Sequence, residues 1–244
     1  MSKNLAEHSS VSIKISSKKV AIALFGLVAI LAVLHLATQY VIFFHTTGSF
    51  TTEILTRFDM NNEISIPTWF SQTLLFMSAA IFAYIAYLKF SRKDKYRFHW
   101  LSLGVLFMYL SIDEGAELHE TLGVLDIANS LGFTSTYFGF AWVFPAMLIV
   151  LVLGALFLRF LLQLPNRTKV LFVLAIGIFL SGALGIEMLS ADYLAQVQAE
   201  NFTYRGVLVL FEEGLEMLGV ATLIYALLSY VSEQKTLLSV NITR

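Results

Sequence analysis

Residues 100–120 read WLSLGVLFMYLSIDEGAELHE, an apolar run long enough to cross a membrane that nevertheless carries four acids, Asp113, Glu114, Glu117 and Glu120. Crossing roughly 30 Å of hydrocarbon takes about 20 helical residues. The combination recurs at 206–230, GVLVLFEEGLEMLGVATLIYALLSY, with Glu212, Glu213 and Glu216, and a third apolar run holds Glu187. A charge at the bilayer centre costs roughly 2.5 to 3.5 kcal/mol on insertion scales, so this many acids in one small bundle mark a site.

Hydrophobic residues make up 57% of the 244 positions and charged residues only 14%, with a mean hydropathy of +0.75. That is far more apolar than a soluble domain. The expected fold is an all-α polytopic membrane protein with six transmembrane helices in one bundle, at 20–44, 68–90, 100–120, 138–160, 170–189 and 206–230. A basic tail, 1–19, precedes this domain, 20–230, and a second tail, 231–244, follows it. The first run is longer than a signal-peptide core and lacks a small-x-small cleavage site, so it is expected to be retained. Cysteine is absent, which excludes thiolate metal sites, iron–sulfur clusters, disulfides and cysteine nucleophiles.

The basic residues orient the bundle. Of 16 lysines and arginines, all but Arg57 and Arg205 fall in the N-terminal tail, the Lys89 to Arg97 connection, the Arg159 to Lys169 connection or the C-terminal tail. The positive-inside rule then predicts two cytoplasmic termini, in the inner membrane of a bacterium. Among the outer connections, Phe50, Ile54 and Phe58 repeat at interfacial-helix spacing, and 121–131 and 191–204 are candidate lids; each also fits an ordinary amphipathic connector.

Orientation collects the acids at one depth. The third helix runs outward, so at about 1.5 Å per residue Asp113 lies just past the midplane and Glu120 near the outer boundary. Glu187 falls near the outer end of the fifth helix, and Glu212 and Glu216 between boundary and midplane on the sixth. At about 100° per residue Asp113, Glu117 and Glu120 share an arc that Tyr109 and Ser102 extend, and Glu212 and Glu216 share another. Glu114 and Glu213 flank these arcs. Residues 113–118 and 212–217 both fit [DE]-E-G-x-E-[LM], but inverted repeats would place the two motifs on opposite sides of the midplane. Two antiparallel helices facing one shared site are expected instead.

Counter-charge is scarce: Arg205 lies seven residues before Glu212 on the same face, with His119 and His35 nearby in depth. Protons, water or bound cations must neutralise the rest. The expected site is a carboxylate-rich divalent-metal centre (Fe, Mn or Zn) with Asp113, Glu117, Glu120, Glu187, Glu212 and Glu216 as ligands, and His119 or His35 supplying nitrogen. Glu114 and Glu213 are the candidate catalytic proton-transfer groups. The Glu-x-x-His pattern of ferritin-like di-iron bundles is missing. Glu120, His119 and Glu187 also fit solvated helix ends, and His35, alone on an apolar face, also fits a hydrogen-bonded packing residue.

Gly177, Ser181 and Gly185 form a small-residue stripe on the fifth helix, suited to close packing or a homo-oligomer. No phosphate loop, nucleophile elbow or nucleic-acid patch occurs, leaving the lipid bilayer as the expected partner. A metal-dependent membrane hydrolase or oxidoreductase acting on a lipid or periplasmic substrate is the first functional expectation. A proton- or cation-coupled transporter is the second, and a non-catalytic sensor or assembly factor the third. The topology predicts that alkaline phosphatase fused after Asn62 is active and fused after Asp94 is inactive; the reverse pattern overturns it.

Overall fold

The computed structural model describes residues 16–119, 121, 127–133 and 135–234, and helix is the only regular structure among them. Helix α1 (Ser17–Phe44) starts at Ser16, whose hydroxyl accepts from the Lys19 N–H. A short α2 (Ser49–Leu55) and a tight turn, Thr56–Phe58, lead to α3 (Ile66–Ser91). The Ser65 hydroxyl caps α3 by accepting from the Thr68 N–H at 3.2 Å, and Pro67 sits in its first turn, where no backbone donor is needed. Then come α4 (Arg97–Ala116), a single turn α5 (Ile127–Ser130) and α6 (Val143–Gln163). Helix α7 (Asn166–Leu180) passes through a π-helical turn, Ser181–Ile186, into α8 (Glu187–Val197), and a second π turn, Thr203–Leu208, opens α9 (Val209–Glu233).

Four stretches are long and apolar enough to cross a membrane: α1, α3, α6 and the continuous helix Asn166–Val197. Helices α4 and α9, with 20 and 25 residues, are of comparable length but carry the acids. Helix α9 is the centre of the assembly, packed against α1, α3, α7 and the first π turn, while α3 also pairs extensively with α4. One end of the bundle is basic. There Arg167 meets the Glu233 carboxylate at 2.5 Å and the Tyr225 hydroxyl at 2.8 Å, Lys89 lies over the Tyr230 ring, and the buried Trp100 stacks on Tyr230 with centroids 5.0 Å apart. These contacts gather the end of α3, the start of α4, the start of α7 and the end of α9. The acids therefore face the opposite end.

The fourth helix starts at Val143 rather than at 138, and two boundaries nearer the acids also differ from those expected. The third helix stops at Ala116 rather than Glu120, because Glu117 takes a left-handed conformation (φ 47°, ψ 38°) and turns its N–H back to the Asp113 carbonyl at 2.8 Å. A non-glycine residue there costs roughly 1–2 kcal/mol and gives no sequence signal of a helix end. The fifth helix runs on to Val197 rather than Leu189, so most of the expected lid at 191–204 is helix. Helix α2 buries none of its residues against the protein, and Phe50 is 77% exposed.

Glycines make the central seam, although not those of the predicted stripe. A Cβ on Gly219 would lie 2.7 Å from the Phe179 backbone nitrogen, and one on Gly182 would lie 2.5 Å from the Glu212 carbonyl oxygen. Gly177 and Gly185 have nothing within 4 Å to pack against. Gly219→Ala is accordingly expected to destabilise the protein by about 1–3 kcal/mol through overpacking, while Gly177→Ala is neutral or stabilising by up to about 1 kcal/mol. Thermal unfolding in detergent measures both; equal losses would show that the seam is misassigned.

Candidate carboxylate site

Helix α9 presents its acids around the position where the first π turn meets it. A π turn brings residues five apart onto one face, so Gly182 and Glu187 look the same way. Gly182 lies against the Glu212 backbone, and the Glu187 carboxyl hydrogen-bonds that of Glu212. Two carboxylates offer only acceptors, so this contact needs a proton or another cation between them. The Ser190 hydroxyl, one turn on, donates to Glu212 Oε2 at 3.4 Å. Glu187 and Ser190 are both buried.

Behind this pair the charges accumulate. Glu213 lies in the electrostatic field of Glu114, Glu63 and Glu187, and Glu216 in that of Glu213, Glu114 and Glu187. Ser71 of α3, the helix between α4 and α9, lies beside Glu114. The acids brought together are thus Glu114, Glu187, Glu212, Glu213 and Glu216. The two residues expected to flank the site, Glu114 and Glu213, stand inside it.

Asp113 and His119 form a hydrogen-bonded unit beside the cluster, within electrostatic reach of Glu114. With the helix broken at Glu117, His119 folds back so that its Nδ1 lies 3.1 Å from Asp113 Oδ2, and its ring meets Trp142 edge-on at 4.6 Å. The Tyr109 hydroxyl approaches Asp113 Oδ1 at 3.5 Å. Glu117 is the left-handed cap, off the arc predicted for it, and Glu120 lies outside the described residues.

The outer cations are also placed differently from expectation. Arg205 was expected on the face of Glu212, but the π turn 203–208 shifts its phase and it pairs with Asp59 at 2.7 Å and Glu200 at 3.0 Å. His35, fully buried, gives its Nε2 proton to the Arg205 carbonyl at 2.9 Å and accepts the Met60 N–H on Nδ1 at 3.0 Å. Both ring nitrogens are therefore engaged within the protein, as in the packing alternative, leaving no lone pair for a metal.

Among the described residues, no three His, Asp or Glu side chains converge closely enough to hold a metal ion. Sequence inspection missed Ser71, Ser190, Glu63 and Asp59. The serines lie in apolar runs, where a hydroxyl is unremarkable, and Glu63 and Asp59 belong to a connection whose fold had no pattern to reveal it. The family described as Domain of unknown function (DUF8692) matches residues 21–231. No curated protein and no solved structure matches the chain.

Asp59 is the acid outside the spanning helices whose ionisation the structure most clearly fixes. Burial pushes its carboxyl up, but the His35 ring 3.5 Å away, the Asn61 N–H and the Arg205 guanidinium outweigh this and hold it at about 2, against an ordinary 3.8. Of these the Asn61 and Arg205 contacts are the firmer, since the Met60 N–H already occupies the ring nitrogen that faces Asp59. A depressed carboxyl contributes stability that is complete above its unfolded value and lost as pH falls through the folded one. Unfolding free energy is expected to drop by of order 2 kcal/mol between about pH 5 and pH 2 through this group, and Asp59→Asn to remove that component. Urea titrations in detergent at a series of pH values give the comparison; an unchanged pH slope in Asp59→Asn overturns the assignment.

Proposed function

The chain belongs to the DUF8692 family, and we propose that it is a six-span bacterial inner-membrane protein, both termini cytoplasmic, whose acids form a cation-handling site in the outer half of the bilayer. The membrane assignment is supported by the four long apolar helices, and the orientation by the basic end described above. The proposed activity is proton- or cation-coupled transport. One observation carries it: the Glu187 and Glu212 carboxyls bond each other in a field of further acids, while the nearby arginine is engaged with Asp59. A site that must hold a cation and, among the described residues, has no arginine or lysine paired with its two carboxyls is suited to exchanging it.

A divalent metal bridging the same two carboxylates is the second reading, because a bridging cation satisfies the contact as a proton does. It keeps open a metal-dependent enzyme in which Glu187 and Glu212 would hold the ion. Among the described residues no third His, Asp or Glu side chain joins them.

Pyranine-loaded proteoliposomes under an imposed potential test the transport proposal. Glu212→Gln and Glu187→Gln are expected to slow proton movement by about tenfold or more, the equivalent of one pKa unit of lost interaction. Movement equal to the unsubstituted protein in both variants would sink the idea. Stoichiometric Fe, Mn or Zn in protein purified without chelator, falling in Glu212→Gln, would select the metal reading instead.

A further inference from the structure

At the acidic end of the bundle, where the connection from α2 enters α3, lies an open cleft of about 370 Å³ lined by Arg57, Glu63, Ile64, Ser65, Trp69 and Gln72. Its size is within the range of small-molecule sites. Its two charges have opposite sign and are close along the chain fold: one Arg57 nitrogen donates to the Ile64 carbonyl at 3.1 Å, the residue after Glu63. Another bonds Glu53, and the 45% exposed guanidinium has further donors available. The rim is apolar, with Ile64 74%, Ile66 43% and Trp69 65% exposed at the first turns of a membrane-crossing helix. Tryptophan at such a height lies among lipid headgroups.

The Gln72 side of the cleft borders the carboxylate site. Gln72 lies so close to α4 that a Cβ on Gly115 would collide with its side-chain amide, and Gly115 follows Glu114 directly. The Ser111 hydroxyl holds the Gln72 main-chain carbonyl at 2.9 Å, pinning that turn of α3 to α4. On the wall, Glu63 is within electrostatic reach of Glu213. Arg57 and Glu63 are both exposed, and among the residues that line the cleft they are the one basic and the one acidic side chain.

We propose that this cleft binds the headgroup of an amine-bearing phospholipid, with the phosphate at Arg57, the primary ammonium at Glu63 and Gln72, and the acyl chains over Ile64, Ile66 and Trp69. A zwitterion matches a lining that offers one cation and one anion. An ammonium donates three hydrogen bonds, which a choline headgroup cannot, and a glycerol headgroup has no cation to offer. The assignment rests on the membrane placement proposed above and is independent of which cation the acids hold.

Native mass spectrometry of the full chain in detergent, with equimolar dioleoyl phosphatidylethanolamine, phosphatidylcholine and phosphatidylglycerol, provides the test. Ethanolamine-lipid adducts are expected to exceed each of the others by about fivefold or more. Glu63→Gln is expected to reduce them to the choline-lipid level, and Arg57→Gln to reduce all three. Gln72→Leu, a change that adds no charge, is expected to weaken the ethanolamine preference alone. Equal adducts of the three lipids, or a preference unaltered by Glu63→Gln and Arg57→Gln, would overturn the proposal. Displacement of the lipid by equimolar glycerophosphoethanolamine would also overturn it, since the acyl chains would then contribute nothing. Glu212→Gln is expected to leave the adducts unchanged, so failure here is separable from failure of the proton-movement measurement.

Discussion

Arg205 can neutralise one set of acids, and the fold assigns it to Asp59. That ion pair, 2.7 Å long and backed by Glu200, fixes the guanidinium at the junction of three segments. His35 completes the junction by holding the Arg205 carbonyl on one ring nitrogen and the Met60 N–H on the other. The end of α1, the connection after α2 and the entry to α9 are thereby tied into one interlock. Its consequence is electrostatic as much as structural. With the arginine so engaged, the acids further along α9 are left with serines, one another and whatever mobile cation reaches them.

The residues that make the interlock are buried polar groups whose partners are far apart in sequence. His35 and Arg205 are 170 positions apart, and no periodicity links them. Breaking one partner of such a buried network leaves the others desolvated and unmatched, which is typically more costly than the net value of the interaction. The seam between α7 and α9 stabilises the bundle differently, through backbone approach at Gly182 and Gly219. Within a bilayer there is little hydrophobic drive between helices, so close packing of this sort has to supply the association.

Helical content and the presence of long apolar segments were legible from composition and run length, because both depend on sums over many residues. The acids stood out for the same energetic reason. Their arrangement was legible only as far as a straight helix reaches. Counting 100° per residue placed Arg205 with Glu212 and put Glu117 on the face of Asp113, and both fail where the backbone departs from regular α geometry, at 203–208 and at Glu117. The stripe of Gly177, Ser181 and Gly185 has the spacing for close packing but meets no neighbour within the chain at Gly177 or Gly185. Gly182, one position away, is the glycine that a neighbour requires.

The widened turn at 181–186 also gives the acid pair a mechanical character. Rewinding those six residues as ordinary α-helix would rotate everything beyond them by about one residue step, carrying Glu187 away from Glu212. Winding and pairing are therefore linked equilibria. A cation that bridges the two carboxyls holds the turn open, and a force that tightens the turn weakens the hold on the cation by the same free energy.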